Sequence, residues 1–79
     1  MRGRHYTEWV EPVKQLKREG RLKEAEALLV ECVDAVEAEA SVEGSSVAPW
    51  YYEQLGIVYR KLGDQVASDA IAHRHANAP

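Results

Sequence analysis

The side chains of this 79-residue chain that could do chemistry are His73 and His75, the single cysteine Cys32, and a run of carboxylates from Glu24 to Glu39. The corresponding chemistries are metal binding, thiol nucleophilicity and acid–base catalysis. None is supported by the spacing. His73 and His75 are two residues apart, which on a helix points them in roughly opposite directions, whereas a helical metal pair needs a spacing of three or four. Cys32 falls inside an apolar stripe, where a small buried residue is expected, and no neighbour in the sequence would lower its pKa. Glu24, Glu26, Glu31, Asp34, Glu37 and Glu39 are scattered by helical geometry across an exposed face rather than gathered in a cleft. Acid–base work needs two groups in different environments, and no such pair stands out. The glycines are isolated, so no phosphate-cradling loop is present. The expectation is a non-enzyme with no catalytic residues, no metal site and no cofactor.

The elements that would position these residues are helices, because apolar residues recur at three- and four-residue spacing and period-two alternation is nowhere sustained. A first helix is expected from about Thr7 to Glu19, with Trp9, Val13 and Leu16 on one face and Gly20 ending it. Pro12 falls within this segment and would kink it or delay its start. A second helix runs from Leu22 to about Ala40, with Leu22, Ala25, Leu29, Cys32, Val33 and Val36 as its buried stripe. Lys23, Glu24, Glu31, Asp34 and Glu37 form its solvated face. Ser41 to Ser46 reads as a loop. A third helix begins near Pro49, which suits a first turn, and carries Trp50, Tyr51, Tyr52, Leu55, Val58, Tyr59 and Leu62 to a stop at Gly63. Asp64 can cap a fourth, whose apolar side would be Val66, Ala67, Ala70 and Ile71. From His73 onward little can be buried and the chain should fray.

Length and composition set limits on what these helices can be. The chain is one domain at most, near the size where a single apolar core barely outweighs the entropy lost on folding. Phenylalanine is absent, so Trp9, Trp50 and four tyrosines are the bulky anchors. One cysteine cannot form an internal disulfide, and no apolar run reaches the roughly 20 residues a bilayer requires. The basic start, Met1 to His5, is not followed by the apolar stretch of a signal peptide. A reducing, cytoplasmic setting without membrane contact is the simplest expectation. The net charge of −3 conceals an asymmetry: residues 1–23 carry seven Lys/Arg against three Glu, and residues 24–79 carry three against ten Asp/Glu. The basic end could meet an acidic partner or a second copy of the chain, or it is an ordinary solvated surface.

Helix, glycine turn, helix occurs twice, which is a repeat. In the second unit Tyr52, Leu55, Gly56 and Tyr59 follow the pattern Trp-x2-Leu-Gly-x2-Tyr with tyrosine for tryptophan, and Lys61-Leu62-Gly63-Asp64 follows as the turn. In the first unit Trp9 and Leu16 take the places of Tyr52 and Tyr59, Pro12 and Val13 replace Leu-Gly, and Ala25 with Leu29 matches Ala-x3-Phe. At the equivalent places the second unit has Ser68 and Ala72. On these residues the chain resembles the tetratricopeptide repeats. Gly20 and Gly63 are 43 residues apart, against about 34 in that family, and the excess falls on the long second helix and the serine-rich loop.

The resemblance implies an all-α fold of four antiparallel helices forming two helical hairpins, a fragment of a right-handed α-solenoid. The single domain 1–79 divides into repeat one at about 7–40, a loop at 41–48, repeat two at about 49–76 and a frayed tail at 77–79. Gly56 would let the partner helix come close, with Leu55 and Tyr59 filling the seam. About three repeats are usually needed for stability, so two point to a homodimer or to a module completed by a larger partner; the sparse last helix would alternatively suit a cap. By position, the family's concave groove would present Val10, Lys14, Lys17 and Arg18 from the first helix. From the third it would present Trp50, Glu53, Gln54, Ile57, Arg60 and Lys61. The partner-binding set is therefore Lys14, Lys17, Arg18, Trp50, Glu53, Ile57, Arg60 and Lys61, and the partner a protein or peptide with an acidic segment or a free terminal carboxylate. The Lys and Asn carboxylate clamp of some family members is not reproduced, because Val10 and Gln54 stand at the places concerned. Nucleic-acid binding is the rival from another class, using Arg2, Arg4, His5, Lys14, Lys17, Arg18, Arg21 and Lys23 with Trp9 or Tyr6 stacking on a base. The overall acidity, with a pI near 5.5, disfavours it.

Overall fold

A computed structural model describes residues 6–44 and 46–78, with the side chains of Tyr6 and Thr7 excepted. Arg2, Arg4 and His5 of the basic N-terminal end lie outside the described residues, as does the Tyr6 ring. The fold is all-α, with no strand among the described residues. A 3₁₀ turn, Tyr6–Trp9, leads into α1 (Val10–Arg18), followed by α2 (Leu22–Glu43), α3 (Pro49–Lys61) and α4 (Gln65–Ala76). No helix among the described residues is long and apolar enough to cross a membrane.

Pro12 explains why the α-helix starts at Val10 rather than at Thr7. It occupies the third helical position, where a backbone N–H would have no intrahelical acceptor, so its missing donor costs nothing. The helix is continuous past it, and the preceding residues wind into the tighter 3₁₀ form.

The turns that join α1 to α2 and α3 to α4 close with the same hydrogen-bond pair. Gly20 adopts a left-handed φ of 73°, its N–H donates to the Lys17 carbonyl at 3.1 Å, and Arg21 N–H reaches back to Leu16 at 2.9 Å. Gly63, at φ 75°, repeats this with Arg60 at 3.1 Å, and Asp64 N–H reaches Tyr59 at 2.9 Å. Glycine is favoured at both because a side chain there would strain the left-handed backbone. Asp64 then caps α4, its carboxylate accepting from Ala67 N–H at 3.0 Å. Before the link to α3, α2 runs one turn further than the expected Ala40, to Glu43. Ser41, Val42 and Glu43 point to solvent, so the extra turn buries nothing polar, and Gly44 at φ 70° ends it by donating to the Ala40 carbonyl.

The core lies along α2, which packs on α1 and α3, while α4 packs on α3. Ala25, Leu28, Leu29, Cys32, Val33, Val36 and Ala40 form the buried stripe of α2, joined by Val13, Val47, Tyr51, Tyr52, Leu55, Val58, Tyr59 and Ile71. Leu22, expected in the stripe, is only half-buried. Leu55 and Tyr59 do fill the α3 seam.

Three expectations need correction. Gly56 does not admit a close helix: a Cβ there would meet nothing within 4 Å. Tyr52, Leu55 and Tyr59 turn inward, and Gly56 sits one face over, with Glu53, Ile57 and Arg60. On α4 the buried positions are Ser68 and Ile71, while Val66 is 81% exposed and Ala70 is also exposed. The inward stripe of that helix is Ala67, Ser68, Ile71, Arg74 and His75, with the spacing of three and four in residues the apolar pattern passes over. Nor does fraying begin at His73: the helix continues to Ala76, and the Asn77 carboxamide donates to the His73 carbonyl at 2.9 Å.

Candidate functional site

What holds the end of α4 is a polar junction with α2. Arg74 places Nε 2.8 Å from one oxygen of Glu37 and Nη2 2.8 Å from the other, while the same Nη2 lies 2.6 Å from Asp34. This two-pronged geometry matches the planar guanidinium to a carboxylate. Tyr52 of α3 donates its hydroxyl to Glu37 at 2.7 Å, and its ring lies flat on His75, with centroids 4.5 Å apart and planes 14° from parallel. Glu37 and Asp34 are thus not plain solvated charges. Arg74 holds the Glu37 carboxyl below the usual carboxylate range, with burial opposing and the Tyr52 hydroxyl adding to the effect. Burial first, and then the bond to Glu37, pushes the Tyr52 phenol up.

The eight residues expected to meet a partner divide between two places. On the α1 side, Lys17 is half-buried and donates to the Gln54 carboxamide of α3. Burial lowers its pKa, and the like charge of the Lys61 ammonium on α3 lowers it further. Lys14 forms a long ion pair with Glu11 at 3.8 Å, and Arg18 donates to the Gln15 carboxamide at 2.8 Å. Trp50 is half-buried and meets Tyr51 edge-on, with centroids 5.1 Å apart and planes at 86°. Val10 is half-buried against the core.

The second place is an open groove of about 270 Å³ between α3 and α4. Glu53, Ile57 and Arg60 line it from α3, together with Tyr52 and Gly56; Ser68, Ile71, Ala72 and His75 line it from α4. Lys14, Lys17, Arg18, Trp50 and Lys61 do not. The α4 residues are those that sequence reasoning missed. Their signal was the run Ser68, Ile71, Ala72, His75, spaced by three and four but weak in apolar content.

Burial, with a smaller contribution from Glu31, pushes the Cys32 thiol up to about 11, which keeps it protonated near neutrality. No cluster of three or more His, Cys, Asp or Glu able to hold a metal ion occurs among the described residues. The chain matches no protein-family model, no curated protein and no solved structure.

Proposed function

We propose that this chain is a non-enzymatic interaction module of the tetratricopeptide type, working in a reducing cytoplasmic setting, which holds an acidic stretch of another polypeptide against Lys17 and Lys61. The observation that carries the reading is the setting of Lys17, half-buried and bonded to Gln54 of α3. Lys17 is partly withdrawn from water, its acceptor is the neutral carboxamide of Gln54, and the like charge of Lys61 acts on it. A carboxylate arriving there would offset both the lost hydration and the repulsion, which is the charge complementarity that peptide recognition uses. The two glycine-closed hairpins, with identical bonding at Gly20 and Gly63, support the repeat reading.

Nucleic acid is less well served. Arg21 is engaged by Glu24 at 2.7 Å and Glu19 at 3.2 Å, and Lys23 lies 3.8 Å from Glu26, so part of the basic end already faces acids of its own chain. Fluorescence anisotropy tests the proposal with a labelled glutamate-rich peptide ending in a free carboxylate. Wild type should bind it with an affinity that falls as salt rises, and Lys17→Glu/Lys61→Glu should lose binding. Equal binding by the double variant, or stronger binding of a labelled oligonucleotide, would overturn the reading.

A further inference from the structure

The α3 face left open by the fold has an unusual order of side chains. Glu53, Gly56, Ile57 and Arg60 share one side of the helix at spacings of three, one and three, and all four line the groove beside α4. An acid stands at one end, a base two turns away at the other, and between them the smallest residue is next to a half-exposed isoleucine. Glu53 and Arg60 are about 10 Å apart along the axis, given the rise per residue of a helix.

A two-fold axis passing between Gly56 and Ile57 maps this face onto itself. Glu53 then stands opposite Arg60 of a second copy and Arg60 opposite its Glu53, while each Ile57 faces the other copy's Gly56. The space over Gly56 is empty, since a Cβ there would meet nothing within 4 Å. The neighbouring α4 side chains, Ser68 and Ala72, are small enough to let a helix approach.

We infer that this face is the interface of a symmetric dimer, in which each copy seats its α3, antiparallel to the other, in the α3/α4 groove. Self-complementarity is what an isologous interface requires: the same patch must supply both the knob and the hole, and both signs of charge. A foreign helix could fill the groove, but nothing would oblige it to match a charge order that reads identically after a half-turn. The interface uses neither Lys17 nor Lys61, on which the acidic-partner proposal rests, so the two readings stand or fall separately.

Sedimentation equilibrium decides the matter. Wild type should show twice the 8.9 kDa mass of the chain. Arg60→Glu alone places acid opposite acid at two symmetric contacts, Glu53→Arg alone places base opposite base, and each should weaken the dimer about tenfold or more. The exchange Glu53→Arg/Arg60→Glu restores opposite charges and should recover the dimer, which general damage to the fold would not do. Gly56→Leu fills the space meant for the other copy's Ile57 and should give a monomer with unchanged helical circular dichroism. Lys17→Glu/Lys61→Glu should remain dimeric. A monomeric wild type, single reversals that dimerise as tightly as wild type, or an exchange no tighter than the single reversals would each overturn the inference.

Discussion

Leu29, Cys32 and Val33 of α2 are wholly shielded from water, whereas α4 buries one large apolar side chain, Ile71, and otherwise relies on Arg74, His75 and the Asp64 cap. The two helices are therefore retained by different forces. Apolar burial is non-directional and indifferent to pH near neutrality, and it increases with the area hidden. A guanidinium between two carboxylates is directional, responds to salt and disappears when its partners are protonated. In a domain of this size the first secures the fold, and the second positions a helix whose own sequence could not hold it.

The largest effect expected from breaking that contrast is on α2. Leu29→Ala at a site with no solvent exposure should cost about 3 kcal/mol in urea unfolding. That is a large share of the roughly 4–12 kcal/mol expected for a chain of this length; a loss below about 1 kcal/mol would show that α2 is not the apolar centre.

Arg74→Met should cost less, about 1–2 kcal/mol, because the Arg74 side chain is 38% exposed and water screens its bonds. It should also change the response to acid. A carboxyl whose pKa is depressed on folding contributes stability that is present above its unfolded value, near 4.3, and is lost as pH falls through the folded value. Glu37 is such a group, with Arg74 as the leading cause. Wild type should therefore lose stability below about pH 4 more steeply than Arg74→Met; parallel curves would remove Glu37 as the source. The smallest effect has the opposite sign. Gly56→Ala adds a methyl where nothing stands within 4 Å and should raise the stability of the isolated chain by about 0.5–1 kcal/mol. A loss instead would mean that the α3/α4 groove is narrower than described.

The same contrast separates what the sequence made legible from what it did not. The α2 stripe could be read because its residues are apolar and regularly spaced, and Gly20, Gly63 and Asp64 could be read because each has a backbone reason to be where it is. The α4 stripe could not, because Ser68, Arg74 and His75 carry no hydrophobic signal, and the partners of Arg74 lie 37 and 40 residues away in the chain. Gly56 shows a different limit. A pattern identified its place on the helix but not what faces it, and the structure turns it to an open groove rather than to a neighbouring helix. The eight residues expected to meet a partner do not share one face: Lys14, Lys17 and Arg18 belong to α1, while Glu53, Ile57 and Arg60 line the groove between α3 and α4.

Cys32 gives this molecule an internal clock. Its sulfur sits at the centre of the α2 stripe, out of reach of solvent and held in the unreactive thiol form. An alkylating reagent can modify it only during moments when α2 parts from its neighbours, so the rate of that modification counts how often the core opens. Because it is the sole cysteine in the chain, the count needs no engineered label and no correction for a second site.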